Sequence, residues 1–146
     1  MIDTENRPCW IIDILPEQVP ADSPGRYFTV EKYFLSRLDD IIRKFASVLV
    51  KLNCYYELQV CLDGETWTGD FAPEELERFL RETNASPNSF YVRVNPSDAL
   101  FAFSGDEHYL TLYEPDSDLL ELVRQIASSE GLFVWEPRQT VIFKKT

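Results

Sequence analysis

Residues 29–53 carry the longest periodic run of apolar positions in the chain. Val30, Tyr33 or Phe34, Leu38, Ile41 and Ile42, Phe45, Leu49 and Leu52 recur at steps of three and four, the spacing that lines up side chains on one face of a helix. Arg37, Asp39, Asp40, Arg43, Lys44, Ser47 and Lys51 occupy the opposite face. Asp39 and Asp40 each stand four residues before a base, Arg43 and Lys44. That acid-first order adds ~0.3–0.5 kcal/mol per pair. Thr29 or Ser36 suits the starting cap and Asn53 the closing position. Val48 and Val50 widen the stripe, so burial on more than one side is expected.

The remaining elements are shorter. Residues 9–15 form an apolar run closed by Pro16 and read as a strand, with Asp13 inside it facing solvent, capping a neighbour or belonging to a site. Residues 16–28 hold three prolines and a glycine and read as a loop. A connection of that length lies over something or moves, and is a candidate lid. Residues 55–62 alternate as a strand, and Asp63-Gly64 makes a turn. Pro73, Glu74 and Glu75 open a second helix. Residues 90–94, 100–103 and 109–113 are three strands joined by connections too short for anything but an antiparallel meander. Asp118 with Glu121 resembles a capping box opening a third helix, and Gly131 closes it. Residues 132–135 and 140–143 supply one or two last strands. Strand–helix–strand segments imply some parallel pairing. The expected class is therefore α+β: a mixed, largely antiparallel sheet of five to seven strands with about three helices packed on it. It would form one domain over 1–146, with 1–7 loose.

Composition narrows the function. Hydrophobic residues make up 45% and aromatics 14%, which excludes wholesale disorder. No apolar run is long enough for a membrane helix and the start lacks a signal pattern, so a cytoplasmic protein is expected. Cys9, Cys54 and Cys61 sit in apolar stretches without a CxxC and read as buried, reduced thiols. A net charge of −11 disfavours nucleic acid and anionic membrane surfaces. The charge is unevenly spread. Residues 63–82 hold seven acids and two bases, and residues 106–121 hold six acids and no Lys or Arg.

Those two segments carry the candidate binding residues. Glu65, Trp67 and Asp70 place an aromatic anchor among carboxylates, and Asp106, Glu107, Tyr109, Glu114 and Asp116 form a second acidic and aromatic group. A basic protein partner would be steered to such a surface. Calcium does not fit the first segment: Asp63, Glu65 and Glu74 fall at positions one, three and twelve of a calcium loop, but Trp67 and Thr68 take positions five and six. Phosphate-cradling glycine loops, GxSxG and HExxH are absent, and no cofactor is implied. Glu107 and His108 would point to opposite strand faces, which argues against an acid–base pair. The general character is similar to that of inhibitors that neutralise basic enzymes, such as the immunity proteins of bacterial toxins. This is a likeness of type without residue correspondence. The leading expectation is a non-catalytic, acidic protein-binding domain. The alternative is a small-molecule binder or enzyme with a pocket under residues 16–28, lined by Asp13, Glu57, His108 or Tyr109.

Overall fold

The computed structural model describes residues 2, 4, 6–20, 22, 24–86, 88–105 and 108–137. The elements run β1 (Cys9–Asp13), α1 (Pro24–Leu35), α2 (Leu38–Leu52), β2 (Glu57–Cys61), α3 (Pro73–Asn84), β3 (Ser89–Asn95), β4 (Leu100–Ser104), β5 (Leu110–Tyr113), α4 (Ser117–Ser129) and β6 (Phe133–Trp135).

The apolar stripe of α2 forms the centre of the core. Ile41, Ile42, Phe45, Ala46, Val48, Leu49 and Leu52 are all buried, and each large side chain contributes roughly 1.5–3 kcal/mol on leaving water. Buried Val48 reflects contact on several sides: α2 lies against both α3 and α4, and the Phe45 ring stands 6.3 Å from Phe103 on the sheet. The single helix expected over 29–53 is two helices, interrupted at Ser36 and Arg37. Val30 is 43% and Tyr33 58% exposed, so of the first third of the stripe only Phe34 packs against the core. Helix α1 also begins earlier than expected, at Pro24, absorbing the end of the predicted 16–28 loop; proline suits a helix's first turn. Of the two expected pairs on α2, neither forms as drawn. Arg43 pairs with Asp40 at 3.0 Å, and Asp39 pairs across to Arg81 of α3.

The sheet has six strands in the order β2-β3-β4-β5-β1-β6. Every described pairing is antiparallel. The α+β class is as expected, but the parallel pairing is not found among the described residues. The helical connection from β1 delivers β2 to the far edge of the sheet, so the two strands are never neighbours. The meander β3-β4-β5 forms as its short turns require, and β1 inserts between β5 and β6. The predicted strand over 140–143 lies outside the described residues.

Alternation assigns the faces. Leu58, Val60, Phe90, Val92, Phe101, Phe103, Leu110, Leu112 and Ile12 belong to the core cluster that also holds the apolar faces of α2, α3 and α4. Ile11, Asp13, Thr111 and Trp135 belong to the other face, by their register. Gly131, at φ 77°, lets α4 close: the Leu132 N–H donates to the Ala127 carbonyl at 2.8 Å and Gly131 N–H to Ser128 at 3.1 Å, a Schellman ending. Helix α3 opens with half a capping box: the Glu75 carboxylate accepts the Ala72 N–H at 2.9 Å, while alanine has no side-chain acceptor to return. Cys61 is buried, Cys9 half-buried and Cys54 exposed, so the uniform burial expected of the thiols does not hold. Among the described residues, no helix is long and apolar enough to cross a membrane.

Candidate functional site

The acidic residues singled out in the sequence are spread over several elements. Glu65, Trp67 and Asp70 lie outside β2, where Thr68 bridges to Val60 at the sheet edge. Strand β5 is three places further across, on the order of 14 Å at the usual strand spacing. Tyr109 leads into one end of β5, and Glu114 and Asp116 follow its other end. The two ends of that four-residue strand lie on the order of 13 Å apart. Asp106 and Glu107 lie outside the described residues.

Several of these side chains also have local partners. The Trp67 ring is covered by the Arg93 guanidinium, 4.3 Å from its centroid, and Arg93 is held by the Gln59 carbonyl oxygen at 2.7 Å. Glu114 pairs with Arg7 at 2.5 Å. The Asp116 carboxylate accepts the Leu119 N–H at 2.8 Å and caps α4. The cap is therefore Asp116 and not Asp118, which stands inside the first turn. Asp116→Ala is expected to cost about 1 kcal/mol of stability, read as a lower denaturation midpoint at neutral pH. Asp63 is occupied in shaping its own turn. Its carboxylate accepts the N–H groups of Glu65 and Thr66 at 2.9 and 2.8 Å, which holds its pKa down to about 2.

A different constellation assembles at the other side of the sheet. Asp13 ends β1 on the face that carries Ile11, two residues earlier. Trp135 of β6 stands directly opposite Ile11. His108 and Tyr109 arrive from the connection between β4 and β5, and Tyr27 and Phe34 from α1. With Leu15, Gln18 and Val19 these residues line a partly enclosed cavity of about 330 Å³, at the small end of ligand-binding pockets. The walls are mostly apolar and aromatic. The 14–19 segment is thus seated over a cavity, and Asp13, His108 and Tyr109 share it. Glu57, on the far edge strand, does not.

Asp13 is only 8% exposed, which corrects the solvent-facing alternative. One of its oxygens accepts the Ile14 N–H at 2.7 Å. Burial pushes its pKa up to about 6; the N–H groups of Ile14 and Leu15, the Trp135 indole and the nearby His108 pull the other way without cancelling it. The Trp135 indole N–H also donates to the Leu15 carbonyl at 3.1 Å, fixing the ring against the 14–19 segment. The Tyr27 hydroxyl is pushed up by burial first, then by the charges of Glu31 and Asp13. His108 Nε2 stands 3.6 Å from the Glu31 carboxylate, and its buried Nδ1 has no hydrogen-bond partner among the described residues.

A carboxyl group with a pKa near neutrality accepts or releases a proton under ordinary conditions, and such groups cluster at functional sites. Among the described residues, no Lys, Arg, Cys or Ser lines the cavity. Nor, among them, is there a group of three His, Cys, Asp or Glu side chains placed to hold a metal ion. The arrangement encloses one carboxyl, one imidazole and two phenols in a mostly apolar space. Tyr27, Glu31, Phe34 and Trp135 were not singled out from the sequence. The one usable signal was Asp13, an acid inside an apolar strand.

No family model matches the chain, and no curated protein or solved structure matches it either.

Proposed function

We propose that this protein binds a small organic molecule in the cavity between β1, β6, α1 and residues 14–19. The supporting observation is convergence: Asp13, Tyr27, His108, Tyr109 and Trp135 come from four separate stretches of chain and line one partly enclosed, largely apolar space. Asp13 accepts hydrogen bonds there, but they do not offset the cost of its burial. Its raised pKa is a stability cost, of the kind retained at working sites. The test is a thermal-shift screen of metabolites and metal ions on the wild type and on Val19→Trp, which fills the cavity. A ligand present at a hundred times its dissociation constant adds about 2.7 kcal/mol. At least one compound should therefore raise the melting temperature of the wild type by several degrees and leave Val19→Trp unmoved. A flat melting temperature across the panel would remove the reading.

A second reading keeps the acidic surface. Glu65 and Asp70 are exposed on the same loop of a chain with net charge −11, a field that favours a basic protein partner, as for an inhibitor. Its test is affinity capture at low and high salt. A basic partner should be retained at low salt and released at high salt; no retained protein at low salt would end this reading.

A further inference from the structure

We propose that the cavity's ligand is a small organic cation, a protonated amine on an aromatic or apolar body, with its charge against Asp13 and its body against Tyr27, Tyr109 and Trp135. The inference rests on the pocket reading and names the ligand class for it.

Three observations fix the sign of the charge. Among the described residues, Asp13 is the carboxylate that lines the cavity, and neither Lys nor Arg does. A second carboxylate, Glu31, stands behind the wall, 3.6 Å from His108. Both carboxylates act on the Tyr27 hydroxyl, which places their fields together on one wall. An anionic ligand would enter against both carboxylates; among the described residues no lysine or arginine of the lining would receive it, and the His108 imidazole already faces Glu31 at 3.6 Å. A buried ion left unpaired is strongly disfavoured.

The walls decide the rest. Tyr27, Phe34, Tyr109 and Trp135 are four aromatic rings around one small space. Ring faces attract cations, more strongly when water is excluded, and aromatic cages are the usual seat of organic ammonium groups. Ile11, Leu15 and Val19 complete an apolar lining that has no use for a bare metal ion and suits a hydrocarbon or aryl body. His108 beside Asp13 does not offset the cost of burying that carboxylate, and a bound ammonium would add the opposite charge that converts its burial from a cost into a contact.

The experiment uses three probes of similar shape and different charge, followed by isothermal titration calorimetry at pH 7.5 on the full chain: phenethylamine, 2-phenylethanol and 3-phenylpropionate. The amine is expected to bind at least tenfold tighter than the alcohol, and the carboxylate most weakly. Asp13→Asn should abolish the amine's advantage while the alcohol's affinity stays within about twofold; Glu31→Gln should reduce the advantage in part. Equal binding of amine and alcohol, tightest binding of the carboxylate, or an undiminished amine preference in Asp13→Asn would each overturn the cation assignment and leave the pocket in place. Binding of an uncharged or anionic compound from the wider screen, with all three probes silent, would do the same. Silence of every compound in the screen and of the three probes would overturn the pocket reading itself.

Discussion

Asp13→Asn is expected to make the protein more stable at neutral pH, by up to roughly 3 kcal/mol. The carboxyl titrates near pH 3.8 when exposed and at about 6 in the fold; the difference converts at about 1.4 kcal/mol per tenfold. The sign follows from proton counting. Below about pH 3 the group is protonated in both states and contributes nothing unfavourable. Between about pH 3 and 6 the unfolded chain loses the proton first. The folded protein binds more protons there, so stability falls as pH rises. Above about pH 6.5 the penalty is essentially complete and constant. Asparagine keeps an acceptor oxygen for the Ile14 N–H and carries no charge into the cavity. Denaturant midpoints of wild type and Asp13→Asn should therefore coincide near pH 3 and separate steadily up to pH 6.5. Taking the difference between the two proteins cancels other carboxylates, such as Asp63, whose depressed pKa makes them lose stability on acidification instead. The charged and titratable neighbours of Asp13 are Tyr27, Glu31 and His108, and they are common to both proteins. A pH-independent difference would show that burial does not perturb Asp13.

Gly105→Ala is expected to be severe, at ~3 kcal/mol or more. Gly105 follows β4 directly and lies against the end of α3. An added methyl would sit 2.7 Å from the Thr83 carbonyl oxygen and closer still to that of Ser86. Both obstacles are backbone atoms. They cannot swing aside as a side chain would, and the turn is tied: Ser86 N–H donates to Thr83 at 3.0 Å, and the Ser86 hydroxyl accepts the Asn88 N–H at 3.2 Å. Overpacking of this kind costs about 1–3 kcal/mol even where side chains yield. The control is Gly69→Ala, whose methyl would meet nothing nearer than 3.6 Å and should fall within about 0.5 kcal/mol of wild type. Matching urea midpoints for the two variants would contradict this account. His108 and Tyr109 stand three and four residues after Gly105, so the displacement should weaken ligand binding as well.

How much of the fold was readable in the chain depended on distance along it. Helix α2 and the β3-β4-β5 meander were legible because their patterns are local: the three-four spacing of Ile41, Phe45, Leu49 and Leu52, and turns too short to cross a sheet. The break at Ser36 and Arg37 was not, since Val30, Tyr33 and Phe34 continue the same spacing. Only tertiary placement decides that Val30 and Tyr33 face water while Phe34 turns inward. The parallel pairing failed for a related reason. A strand–helix–strand order permits it, but position in the sheet is set by which edges remain open, and β1 takes the gap beside β5. At the site, Asp13 and His108 stood out by type, one acid in an apolar run and one histidine in the chain. Alternation put Asp13 with Ile11 but could not tell which face would be roofed. Tyr27 fell in a stretch read as loop and Trp135 in a short strand, and nothing local tied either to Asp13 until α1 and β6 were brought to β1. In the acidic segments, formal charge along the chain hides local pairing: Glu114 already has Arg7, Asp116 already has a helix end, and Trp67 already has Arg93.

The placement of β1 sets the timing of assembly during synthesis. Among the described strands it leaves the ribosome first, yet its neighbours are residues 110–113 and 133–135. Until those emerge, Ile11, Ile12 and Asp13 have no ladder to join, while β2, β3 and β4 can already be zipped together. The half of the molecule that holds the cavity is thus the last to mature, and a chain halted before residue 110 would display a half-built sheet whose β1 still awaits a mate.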